Sequence, residues 1–156
     1  MASRSKHDGK IDRLRTLPLF TTTGARELRA IAAAGDLVTV EAGRAICRAE
    51  RYAREAFLVV DGMVDVVIAR GVGGPHETRT TVATLRRGNL VGELGVIDGL
   101  PRTADVVAVS DVTVLAIDAR AMRSLLATSK TMREAMLRQL ADRIRRSDEE
   151  LVAVRA

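Results

Sequence analysis

The chain changes its hydrophobic period twice, from helical to alternating and back. Apolar residues at 11, 14 and 17 form a short helical stripe that Pro18 ends. Thr23 is placed to cap a second helix, with Glu27 close to the capping-box position. Leu28 and Ile31 face inward, and Gly35 ends that helix. From Leu37 the period shortens to two. Residues 37–41 alternate, 44–48 form a short strand, 56–60 are a compact β-rich run, and 63–69 alternate around Val64, Val66 and Ile68. Asp61-Gly62 predicts a two-residue hairpin. The glycine-rich loop 71–75 predicts a second, looser hairpin between 63–69 and 79–85. After a break at 86–89, residues 104–109 and 112–117 are again β-rich, joined by Ser110-Asp111. The helical period then returns, with Asp118 capping 119–127 and a long helix from about Thr131 past Leu151. Short strands at this spacing predict an antiparallel sandwich, barrel or jelly roll between helical ends.

Composition narrows the chemistry. The chain has 156 residues, 47% hydrophobic and 29% charged, enough for one core and one domain. Residues 1–10 are polar and basic and are expected to be a disordered tail. Residues 11–156 are expected to be a single domain: N-terminal helices over 11–35, strands over 36–117 and C-terminal helices over 118–156. Aromatics are only 2%, which argues against single-stranded nucleic acid bound by base stacking. One cysteine, Cys47, excludes an intramolecular disulfide framework and a multi-cysteine metal site, and reads as a small buried hydrophobe. Two histidines, His7 and His76, offer little to a metal site or a catalytic triad, so neither a metal nor a catalytic residue is expected. No signal-peptide pattern and no membrane-length apolar run occurs, so the expected location is the cytoplasm, with no membrane partner. A net charge of +5 points to an acidic partner.

Residues 90–104 break the β pattern. Gly92 and Gly95 weaken a strand, Glu93–Asp98 is about one helical turn, and Gly99 and Pro101 close it. A helix starting at a glycine presents free N–H groups to an anion. The Arg102 guanidinium can clamp a phosphate through two hydrogen bonds, and Thr103 adds a hydroxyl. Glu93 can accept from a sugar hydroxyl. Taken singly, Glu93 also suits a helix start, and Arg102 an ion pair with Asp98 or Asp105.

Gly92-Glu93-Leu94-Gly95 followed by Pro101-Arg102-Thr103-Ala104 resembles the phosphate-binding cassette of cyclic nucleotide-binding domains. Such domains occur in the catabolite activator protein, the regulatory subunit of the cyclic-AMP-dependent kinase and cyclic-nucleotide-gated channels. The stretch 57–64 is similar to the family's strand–turn–strand ahead of the cassette, and the flanking helices agree in order over about residues 11–146. The resemblance implies an α+β fold: an antiparallel β jelly roll (a double-stranded β-helix) over 36–117, with the cassette at 91–104, short helices before it and two helices after it. It implies that Arg102 binds the cyclic phosphate and Glu93 the ribose 2′-hydroxyl. Backbone N–H groups of Gly92, Leu94 and Gly95 contact phosphate or sugar, and Thr103 contacts phosphate or base. It further implies that Ala83, Leu85 and Val91 line a purine pocket, and that Arg143 lies where some members carry a lid residue; a solvated helix face is the other reading of Arg143. The ligand is cyclic AMP (cAMP), with cyclic GMP (cGMP) left open; no cofactor and no catalysis are implied. A haem or metal role for His76, as in gas-sensing relatives, is not favoured.

In the last helix, Leu137, Leu140, Ile144, Ser147, Leu151 and Val154 form a heptad seam with a polar gap. It predicts a homodimer through that helix, or else packing on the chain's own strands. Residues 119–156 carry nine basic and five acidic residues, four of the five net charges, but with the signs interleaved as on a solvated helix. DNA is therefore disfavoured as a partner. No DNA-reading domain follows before Ala156, so a stand-alone sensor or an excised regulatory domain is expected. The functional expectation is a cyclic nucleotide sensor that moves its C-terminal helices about a hinge at 117–130 and signals to an unknown effector protein. The alternative is the same fold used as a ligand-independent protein-interaction module; less favoured is a truncated transcription regulator.

Overall fold

The structure, a computed structural model, describes residues 2–155, with side chains from residue 8. Two helices, α1 (Ala2–Arg15) and α2 (Ala25–Ala33), precede eight strands, with a 3₁₀ turn at Pro18–Phe20 between them. The strands are β1 (Gly35–Val40), β2 (Ala45–Cys47), β3 (Glu55–Asp61), β4 (Val64–Arg70), β5 (Thr78–Leu85), β6 (Leu90–Val91), β7 (Asp105–Ala108) and β8 (Val112–Asp118). The short helix α3 (Glu93–Asp98) interrupts them between β6 and β7, and α4 (Ala119–Thr128) and α5 (Lys130–Arg155) close the chain. The strands form two antiparallel four-stranded sheets, in the orders β1-β8-β3-β6 and β2-β7-β4-β5.

The continuous apolar run of β3 has a simple cause. Its sheet is covered on both faces, and successive side chains alternate between them. Ala56, Leu58 and Val60 join Leu14, Phe20, Ile31, Met122 and Met132 in a core under the helices. Phe57 and Val59 join Val64, Val91, Val106 and Val114 in a core between the sheets. β8 divides in the same way, Leu115 and Ile117 toward the helices and Val112 and Val114 inward.

Asp61-Gly62 does not make a hairpin. β3 pairs with β8 and β6, and β4 pairs with β5 and β7, so this turn carries the chain from one sheet to the other. Gly62 has φ +90°, and a Cβ there would strike the Asp111 carbonyl of the β7–β8 turn, which also changes sheets. The turn chemistry asked for a positive φ; pairing was decided by the packing of two sheets. The 63–69 and 79–85 hairpin forms as β4–β5, from Val64↔Leu85 to Arg70↔Thr78.

The segment read as a disordered tail is helical from Ala2. It carries no apolar periodicity before Ile11, and its anchors lie at its end. Leu14 is fully buried, and Lys10 Nζ donates to the carbonyls of Ala32 and Gly35 at 2.9 and 2.7 Å. Thr23 is not the cap of α2. Gly24 takes the N-cap position, while Thr23 Oγ1 bonds Thr131 Oγ1 at 3.0 Å. Glu27 instead reaches the α4–α5 joint, accepting from Ser129 Oγ at 2.5 Å and from Thr131 N–H at 3.2 Å. Asp118 caps α4 as its sequence position suggests, accepting from Ala121 N–H at 2.8 Å.

Candidate functional site

Residues 90–104 fold into an edge strand, a left-handed glycine, a single-turn helix and a return strand. Gly92 takes φ +74° at the start of α3, and Gly99 φ +70° at its end. A Cβ on Gly92 would land on Arg102 Nη1, so the bare glycine is what lets the guanidinium lie across the start of the helix. Arg102 Nη2 donates to the Glu55 carbonyl at 2.6 Å, and its guanidinium stands 6.0 Å from the centre of the Phe57 ring. Two strong bonds hold the segment behind it: Glu50 N–H donates to the Arg102 carbonyl at 2.7 Å and Arg102 N–H to the Arg51 carbonyl at 2.9 Å.

The alternative partners of Arg102 are taken elsewhere. Asp105 pairs with Arg79 at 2.8 Å, and Asp98 accepts from Leu100 N–H at 2.9 Å. Glu93 is 1% exposed. Arg143, reaching down from α5, stands 3.3 Å from its Oε1 without hydrogen-bond alignment. Among the described residues, two buried side-chain polar atoms have no hydrogen-bond partner: Glu93 Oε1 and Arg102 Nη1. One is an acceptor and the other a donor, and both residues line the same cavity. Burial pushes the Glu93 carboxyl above its ordinary value, opposed by the charges of Arg143 and Arg102 and by its own N–H. Burial also pushes the Cys47 thiol up to about 11, so it lines the cavity as a neutral group.

The inner cavity, of about 60 Å³, is bordered by Val91, Gly92, Glu93, Gly95, Arg102 and Thr103. It shares Leu85, Leu94, Thr103, Ala104 and Arg143 with an outer cavity of about 460 Å³. The outer one lies between β4–β5, including Ala83 and Leu85, and α5, including Gln139, Asp142, Arg143 and Ser147. The structure thus brings together Ala83, Leu85, Val91, Gly92, Glu93, Leu94, Gly95, Arg102, Thr103 and Arg143 around two adjoining cavities. Arg143 is not on a merely solvated face. Sequence reasoning missed Phe57, Asp142 and Gln139; an aromatic on an inward strand and polar residues on a charged helix carry no local signal. His76 is exposed in the β4–β5 loop and lines neither cavity. Of the α5 seam, Leu140 packs on the core under the helices, while Leu137, Ile144 and Leu151 are exposed. No described helix is long and apolar enough to cross a membrane.

Comparisons with known proteins agree with the fold. A cyclic nucleotide-gated potassium channel from Rhizobium etli is 30% identical to this chain over 127 residues, which cover 81% of this chain and 33% of the channel. A CRP-like cAMP-activated global transcriptional regulator from Mycobacterium tuberculosis is 27% identical over 95 residues, 61% of this chain and 41% of the regulator. The chain therefore spans well under half the length of these relatives. The crystal structure of the Thermus thermophilus catabolite activator protein superposes with a TM-score of 0.72 at 26% identity, covering 88% of this chain and 62% of that one. The family model for the cyclic nucleotide-binding domain matches residues 37–129, from β1 through the α4–α5 joint. The chain belongs to the cyclic nucleotide-binding domain family.

Proposed function

We propose that this chain is a cytoplasmic sensor domain that binds cAMP, without turning it over, and passes the binding event to its C-terminal helices and an effector protein. The observation that carries the reading is the pair of buried, unpartnered atoms, Arg102 Nη1 and Glu93 Oε1, on two residues that line one cavity at the start of α3. A cyclic phosphate supplies the acceptors Arg102 lacks, and a ribose 2′-hydroxyl supplies the donor Glu93 lacks. The N–H groups of Gly92, Leu94 and Gly95 face phosphate and sugar, with Thr103 beside them. The purine lies in the outer cavity against Ala83 and Leu85, with Val91 beside it in the adjoining inner cavity, and Arg143 closes over it from α5. No described residue reads as a guanine-specific reader, so cGMP is the competing ligand to be measured.

Calorimetric titration with cAMP and with cGMP tests the assignment. The chain should bind cAMP saturably. Arg102→Ala removes charge-assisted bonds worth about 1.5–3 kcal/mol each, so affinity should fall roughly tenfold to hundredfold. Unchanged affinity in that variant contradicts the assignment.

We also propose that exposed Leu137, Ile144 and Leu151, with Leu140 beside them, form a homodimer seam on α5. Light scattering should give a dimer mass that Ile144→Asp converts to a monomer. A monomer from the unmodified chain ends that proposal.

A further inference from the structure

Gln139 stands on α5 one helical turn before Arg143, and both ends of its amide are committed. Its Nε2–H donates to the Leu90 carbonyl at 2.6 Å, and its Oε1 accepts from the Leu90 N–H at 2.7 Å. The cause is the place of β6 at the edge of its sheet. On the β3 side, Asn89 accepts from Val59 N–H at 3.0 Å, so the next residue turns its own N–H and C=O outward. Leu90 is 1% exposed, so water does not serve these groups. A carboxamide offers one donor and one acceptor side by side, as a neighbouring strand would.

The contact is one of two rungs between α5 and residues 90–104. Gln139 meets Leu90, and Arg143, about 6 Å further along the helix, meets Glu93. Earlier on the helix, Glu27 fixes the α4–α5 joint through Ser129 and Thr131. After Gln139, the Arg143–Glu93 contact is the one side-chain hydrogen bond or ion pair of α5 to the rest of the chain among the described residues.

We infer that Gln139 is a positioning residue for nucleotide binding: it holds α5 in register with the cassette, so that Arg143 and the α5 wall close the cavity, without itself touching ligand. The inference rests on the cAMP reading above.

The test uses stopped-flow release of a fluorescent cAMP analogue from the chain and from Gln139→Leu and Gln139→Glu. Gln139→Leu should release ligand at least tenfold faster, with association within about twofold, and its Leu90 amide should exchange faster. Gln139→Glu should match it at neutral pH, where an ionised carboxylate accepts from Leu90 N–H but has nothing to donate to the carbonyl. On acidification the protonated carboxyl regains the donor, and the release rate relative to the unmodified chain should return toward one. Asp142, Arg143, Arg146 and Glu150 line the same cavity as Gln139 and Glu93 meets Arg143 in every variant, so comparison at each pH removes their effect. Should Gln139→Leu fail to fold, the pH recovery of Gln139→Glu carries the test. Normal binding by the chain with unchanged release in Gln139→Leu, or a Gln139→Glu ratio flat with pH, overturns this inference alone. Absence of binding by the unmodified chain overturns the cAMP reading as well.

Discussion

Glu27 and Glu93 both lie in the first turn of a helix, and their surroundings are opposite. Glu27 is half-buried and well supplied with donors, from the Ser129 hydroxyl and the Thr131 N–H. Those bonds, led by Ser129, hold its carboxyl below the ordinary value. Glu93 is buried, lacks a hydrogen-bond donor at Oε1, and is pushed upward by burial. The first carboxylate completes a joint between helices. The second keeps one oxygen without a hydrogen-bond donor, on a residue that lines a cavity. A polar group satisfied within the chain supports the fold, and one left bare beside a cavity is a candidate for ligand contact.

The comparison can be broken by exchanging the roles. Glu27→Ala leaves the buried Ser129 hydroxyl and the start of α5 without their acceptor. It should lower stability by about 1–3 kcal/mol in urea denaturation, while cAMP affinity stays within about twofold. A large loss of affinity would show that the joint belongs to the site.

A smaller effect separates the two by pH. Glu27 has a lowered folded value, so its stabilisation is present above the ordinary glutamate range and fades as pH falls through the folded value. Glu93 has a raised folded value, so its ionisation costs stability as pH rises from the ordinary range through that higher value. Glu93→Gln should therefore flatten the decline above the ordinary range and leave the acid limb in place. Glu27→Gln should do the reverse. Denaturation midpoints across pH measure both, and identical profiles for the two variants would erase the distinction.

Much of the site was legible because its signals are local. Gly92, Glu93, Gly95 and Arg102 lie within eleven residues, and the span of α3 follows from the glycines around it. Strand positions followed from period two and, for β3, from a compact apolar run. What the sequence hid was decided at a distance. The Asp61-Gly62 turn specifies a backbone angle, but β8 inserts between β1 and β3 and sends β4 to the other sheet. Glu27 looks like half of a capping box until Ser129, 102 residues away, takes it. Gln139 looks like a solvated helix residue until an edge strand 49 residues earlier needs its amide. α1 looks like a tail because only its last turns are apolar.

The central claim is that Glu93 is kept buried and short of a donor for the sake of a ligand. Measuring the thermal midpoint and the cAMP affinity of Glu93→Gln together tests it most directly. The account predicts a midpoint equal to or above that of the unmodified chain, because a buried charge is removed, with affinity at least tenfold weaker. A lowered midpoint with unchanged affinity would make Glu93 a structural residue like Glu27 and contradict the account.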